Sequence, residues 1–196
     1  MLMNEILQLD YRLFHLINAE WRTAFFDSIM PMIRSKYVWY PVYVGIITWA
    51  LTQYKGRVGY LYVFSLLSCV AVTDMLSSSV LKPLVERLRP CNELLTGHEV
   101  VLQVSCGYGY SFPSSHAANH FALSVLCLLL FRANKTVSAV LIFWAALICY
   151  AQIYVGVHYP LDILGGALLG VLMARLWFSM SKHSLIGIVN KEYRQD

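Results

Sequence analysis

Three short stretches of this chain combine residue types that can do chemistry: Lys82-x6-Arg89-Pro90, Phe112-Pro113-Ser114-Ser115-His116 and Val157-His158-Tyr159-Pro160-Leu161-Asp162. His158 and Asp162 are four residues apart at the start of a predicted helix, so they share one face. There the carboxylate can accept a proton from one imidazole nitrogen and leave the other free to attack, the pairing of nucleophile and orienter used in covalent catalysis. Pro160 suits a first helical turn. Ser114 and His116 open another apolar segment after Pro113, and the unpaired N–H groups of a helix N-terminus suit a phosphoryl oxygen. Lys82 and Arg89 are seven apart, about two turns if that stretch is helical, and would then face one pocket. Two imidazoles, a carboxylate and two fixed cations at the ends of long apolar segments point to phosphoryl transfer without a metal.

The elements that must position these groups are apolar helices. Hydrophobic residues make up 58% of the 196 residues and charged ones 13%, against roughly 25% charged in a soluble protein. This composition predicts an all-α, single-domain integral membrane bundle. Spans are expected over Tyr37–Thr52, Val58–Leu81, Ser115–Phe131, Val137–Val155 and Leu161–Met180. Ala24–Ile33, with Asp27 and Pro31, reads as a partial or re-entrant helix or a sixth span. Residues 1–21 carry a helical apolar stripe beside Asp10 and Arg12, which fits an interfacial helix or an ordinary surface helix. Glu5, Asp10 and Arg12 interrupt what would be the apolar core of a cleavable leader. Residues 181–196 read as a polar tail. The net charge of +4 comes without a basic run, which argues against nucleic acid as a partner. No Cys/His spacing suggests a metal, and no cofactor is expected.

In order and spacing the three stretches resemble the type-2 phosphatidic acid phosphatase superfamily over residues 82–166. The resemblance implies that His158 attacks phosphorus to form a phosphohistidine and that His116 protonates the leaving oxygen. It implies that Lys82, Arg89, Ser114 and Ser115 bind the phosphate, within a membrane lipid phosphatase. Two departures stand out: Ser115 replaces a usual Gly, and Ala151-Gln152 replaces a usual Ser-Arg. Gln152 is expected to donate a hydrogen bond to the phosphate where the Arg would have added a charge. The same residues would serve a lipid phosphotransferase, and the missing Arg leaves room for a catalytically weak lipid-binding relative. A haem protein using His116, His120 or His158 is a further alternative.

The expected substrates are lipid phosphates: polyprenyl diphosphate, phosphatidylglycerophosphate, phosphatidate or lipid A. Lys55/Arg57 and Arg132/Lys135 lie in short loops opposite the three stretches, and Lys182, Lys191 and Arg194 follow at the same end. The short loops favour a site on the extracytoplasmic face of a bacterial inner membrane. Cys91 and Cys106 share the long loop on that face and form either a disulfide or two free thiols. Arg87 falls off the Lys82/Arg89 spacing and is expected in solvent near Glu86 or Glu93. Asp74, within a span, is expected to have a buried hydroxyl or His partner.

Overall fold

The computed structural model describes residues 2–54, 56–95 and 99–192, without the side chains of 93–95 and 182–192. Lys55, Arg194 and the side chains of Glu93, Lys182 and Lys191 therefore lie outside what is described. Every regular element in the described residues is helical. Helix α1 (Leu2–His15) runs into a π-helical turn, Leu16–Glu20. Next, α2 (Ala24–Ile33) is capped by Thr23, whose hydroxyl accepts from the Phe26 N–H at 3.2 Å. Then follow α3 (Tyr40–Gln53), α4 (Gly56–Met75), a π-helical turn (Leu76–Leu81) and the short α5 (Lys82–Val85). After the long loop come α6 (Ser115–Phe131), α7 (Lys135–Tyr154) and α8 (Pro160–Glu192).

Among the described residues, three stretches are long and apolar enough to cross a bilayer: Gly56–Val85, Lys135–Tyr154 and Pro160–Ser181. The expected span Ser115–Phe131 is α6 itself, an apolar helix of 17 residues. The remaining expected span shortens to the 14 residues of α3, because a 3-10 turn, Lys36–Trp39, takes up its start. Pro41 stands in the first turn of α3, where its missing N–H costs nothing.

Helices α6 and α8 form the axis of the bundle, and glycine brings them together. A β-carbon on Gly166 would lie 2.3 Å from the Ser114 carbonyl oxygen, and one on Gly170 would lie 2.3 Å from that of Ala118. Small residues one turn apart let helix backbones approach closely, which is how apolar helices associate in lipid. Leu66 and Cys69 of α4 pack with Leu126 and Leu130 of α6 and Ala174 of α8. A second cluster joins Phe14 of α1, Ala117 of α6, Cys149 of α7 and Tyr159. This second cluster fixes the ends of α6, α7 and α8 that carry the polar residues.

Candidate active site

Helix α7 ends at Tyr154, and the chain turns through Gly156 at φ +86°. A β-carbon there would come within 3.0 Å of the Val101 carbonyl oxygen, so the turn takes glycine both for its left-handed φ and for its close approach to the loop. The turn presents His158, which is 2% exposed, and α8 then presents Asp162, at 0%. Asp162 Oδ2 lies 3.4 Å from His158 Nδ1 and accepts the Tyr159 N–H at 2.9 Å. The expected pairing is therefore present. The other ring nitrogen, Nε2, faces Arg89 Nη1 at 3.4 Å. Burial pulls the His158 imidazole down to about 4, more than Asp162 pushes it up, so the ring is neutral at pH 7 with a lone pair on the outward nitrogen.

Arg87 does not sit in solvent near Glu86 or Glu93, as its spacing suggested. Its Nη1 donates to Asp162 Oδ1 at 2.8 Å, its Nη2 pairs with Asp10 Oδ2, and its guanidinium stacks 4.2 Å above the Tyr159 ring. Asp10 in turn accepts the Leu161 N–H at 2.7 Å. The polar residue expected to flank a surface stripe is thus buried at 3% exposure and ties α1 to the start of α8. Burial pushes the Asp10 carboxyl up, and the Arg87 guanidinium opposes the shift. Sequence spacing could not reveal this link, since its partners are 77 and 75 residues apart. The only signal was an acidic residue placed among apolar positions of α1.

Lys82 and Arg89 converge, but not along one helix. Helix α5 stops at Val85, and Glu86 adopts the left-handed conformation at φ 55°. Backbone carbonyls hold both cations instead: Lys82 Nζ donates to Tyr110 O at 2.9 Å, Arg89 Nε to Gly109 O at 3.2 Å, and Arg89 Nη1 to Val157 O at 3.3 Å. The long loop supplies the Tyr110 and Gly109 carbonyls and the turn before α8 supplies that of Val157. Cys91 and Cys106 are bridged within the loop, with Cα atoms 5.7 Å apart. The buried Asn18 side chain clamps the loop further, bonding both the N–H and the carbonyl of Val101 at 2.9 Å and the Tyr154 carbonyl at 2.7 Å.

Ser114 caps α6, its hydroxyl accepting from the Ala117 N–H at 3.4 Å, and its own N–H donates to the Asp162 carbonyl at 2.9 Å. The Ser115 hydroxyl accepts from Ser77 of the π-helical turn at 3.0 Å. His116, half-buried, lies within electrostatic reach of His158, Lys82 and Arg34. A cavity of about 630 Å³ between α3, α4 and α6 opens beside it, lined by Tyr43, Leu66, Val70, Asp74, His116 and Asn119 among others. Asp74 borders this cavity rather than being buried, and its partner is an amide: Asn119 Nδ2 donates to Oδ1 at 2.7 Å. The ring nitrogens of His120 meet the Tyr43 hydroxyl and the His116 carbonyl, each at 2.8 Å, so neither is free for the haem alternative.

Gln152 is completely buried at the site, and its Oε1 accepts from Arg34 Nε at 3.3 Å. Arg34, just past the end of α2, is a second residue that the sequence reading missed. Among the described residues, Lys82, Arg89 and Arg34 have no carboxylate partner within ion-pair distance. Three partly buried cations, none in direct contact with a carboxylate and gathered around two imidazoles, form a place for an anion.

Residues 61–185 match the PAP2 superfamily. A lipid A 4'-phosphatase of Bacteroides thetaiotaomicron is 35% identical over 150 residues, which cover 76% of this chain and 66% of that relative. An undecaprenyl-diphosphatase of Sulfolobus acidocaldarius is 30% identical over 164 residues, covering 82% of this chain and 73% of the relative. The crystal structure of Aquifex aeolicus LpxE superimposes with a TM-score of 0.70 at 28% identity, over 87% of this chain and 95% of that one.

Proposed function

Because the chain belongs to the PAP2 superfamily, we propose that it hydrolyses a terminal phosphate from a membrane lipid through a covalent intermediate on His158. The observation that carries this reading is the buried His158 imidazole, held by Asp162 at one nitrogen and facing Arg89 with the other, beside cations that have no carboxylate within ion-pair distance among the described residues. His158 Nε2 attacks phosphorus, the bond from phosphorus to the lipid oxygen breaks, and His116 gives that oxygen a proton. Water then attacks the phosphohistidine while His116 takes a proton from it, the P–N bond breaks, and phosphate leaves with both histidines restored. Asp162 holds the imidazolium that forms during attack. Lys82, Arg89, Ser114, the Ser115 backbone and Gln152 hold the phosphoryl oxygens. Because catalysis of phosphoryl transfer is largely positioning and charge stabilisation, the side-chain cations supply the charge that a metal would otherwise bring.

The apolar cavity beside His116 suits the hydrocarbon part of the substrate, entering between α3, α4 and α6. The substrate class is thus a lipid phosphomonoester or diphosphate. Lipid A and a polyprenyl diphosphate are the first candidates, given the relatives' names. The Cys91–Cys106 bridge and the short basic loops at the opposite end support a site on the extracytoplasmic face of a bacterial inner membrane. On this reading α1 lies in the interface on that face, where its exposed Leu2, Met3 and Leu9 would meet the bilayer. The test is release of inorganic phosphate from lipid A, polyprenyl diphosphate, phosphatidylglycerophosphate and phosphatidate by the wild type and by His158→Ala. Release from at least one lipid that His158→Ala abolishes is the expected result; equal release by both proteins contradicts the reading.

A further inference from the structure

Arg34 follows α2 directly, and among the described residues only its Nε has a hydrogen-bond partner. Nε donates to Gln152 Oε1 at 3.3 Å, and no ion pair involves Arg34 among the described residues. That bond fixes the direction of the Gln152 amide, because turning it over would set an NH2 group against the guanidinium. The amide nitrogen is then aimed away from Arg34, fully buried and without a hydrogen-bond partner. A buried donor left unpaired costs about 1–3 kcal/mol unless a ligand satisfies it. Arg34 is also near enough to Arg89 and His116 for their charges to interact. Like charges gathered in a partly buried place favour an anion between them; the Arg34 guanidinium can face it, and the buried Gln152 amide nitrogen has no protein acceptor of its own. Burial and the Arg89 charge weaken the hold of Arg34 on its proton, as they would for any cation awaiting a counter-ion.

We propose that Arg34 is a phosphate-binding cation of the site, delivered from the end of α2 and oriented by Gln152. It supplies from outside the three sequence stretches the charge that position 152 lacks. The inference rests on the phosphatase reading above and names a group that binds the same phosphate. Arg34→Gln should cut turnover about 10²–10³-fold and weaken vanadate binding, followed by vanadium NMR, about tenfold or more. Arg34→Lys should lie between, keeping the charge but losing the fork. In the double variant Arg34→Gln/Gln152→Arg the guanidinium re-enters from α7, and turnover and vanadate binding should both recover about tenfold. A merely structural Arg34 would show no such rescue. Turnover and vanadate binding of Arg34→Gln within about twofold of the wild type, or impairment that neither Arg34→Lys nor the double variant relieves, would overturn the inference. Vanadate binding does not require turnover. A wild type that binds vanadate through Arg34 but releases no phosphate would sink the hydrolase reading and leave Arg34 in place.

Discussion

His158 and Arg87 show what residue types and spacing can and cannot disclose. The pair His158–Asp162 was legible because a helix puts residues four apart on one face. The charge state of His158 was not, since it depends on burial by groups far away in sequence. With its imidazole lowered from the ordinary 6.5 to about 4 by burial, the ring stays neutral as pH falls through 6.5 and gains its proton only near 4. A histidine NMR titration, with His158 assigned by comparison with His158→Ala, should show this low midpoint; a midpoint near 6.5 contradicts the buried arrangement. Arg87 was misread because its partners come from α1 and α8. Asp10 and Asp162 are buried at 3% and 0% exposure and share that one guanidinium. Removing one member of a buried pair typically costs about 3–5 kcal/mol. Arg87→Ala should lower unfolding stability in detergent by that order and turnover with it; a loss below about 1 kcal/mol would mark the network as an exposed one.

At the scale of elements, the apolar spans were legible from composition, and α6 and α7 appear within two residues of their expected starts. The stop at Glu86 was not, because nothing in the sequence announces a left-handed glutamate after Val85. Lys82 and Arg89 reach the site through loop carbonyls, a long-range arrangement that no periodicity encodes. Contact between α6 and α8 was readable in principle from Gly166 and Gly170, one turn apart, but only the structure shows Ser114 and Ala118 opposite them. Because a β-carbon at Gly166 meets a backbone oxygen, Gly166→Leu must push the helices apart and separate Ser114 from Asp162. It should cost about 1–3 kcal/mol or more and abolish phosphate release, whereas the same change at Gly45, where a β-carbon meets nothing, should leave release unchanged. Equal activity of the two variants would remove the close approach from the account. Breaking the Cys91–Cys106 bridge with Cys106→Ser should destabilise by about 3 kcal/mol in the chain-entropy view, for a separation of 15 residues. Unfolding in detergent with and without the substitution measures it, and an unchanged transition contradicts it.

For the whole molecule, the three stretches converge on one end of a helical bundle, with Arg34, Arg87 and Asp10 added by folding. The proposed orientation puts Tyr108, fully exposed on the loop, on the extracytoplasmic side and Lys135 on the cytoplasmic side. A membrane-impermeant thiol reagent should label Tyr108→Cys in intact cells and Lys135→Cys only after permeabilisation; the reverse pattern would invert the topology. The account depends most on the claim that phosphate passes through His158. Wild-type protein mixed with a radiolabelled lipid phosphate, quenched by denaturation at alkaline pH where phosphohistidine survives, and digested for mass spectrometry tests that claim directly. The expected result is a phosphorylated peptide containing His158 that forms before free phosphate appears and is missing from His158→Ala, which releases none. Phosphate on another residue, or steady release by His158→Ala, would contradict it.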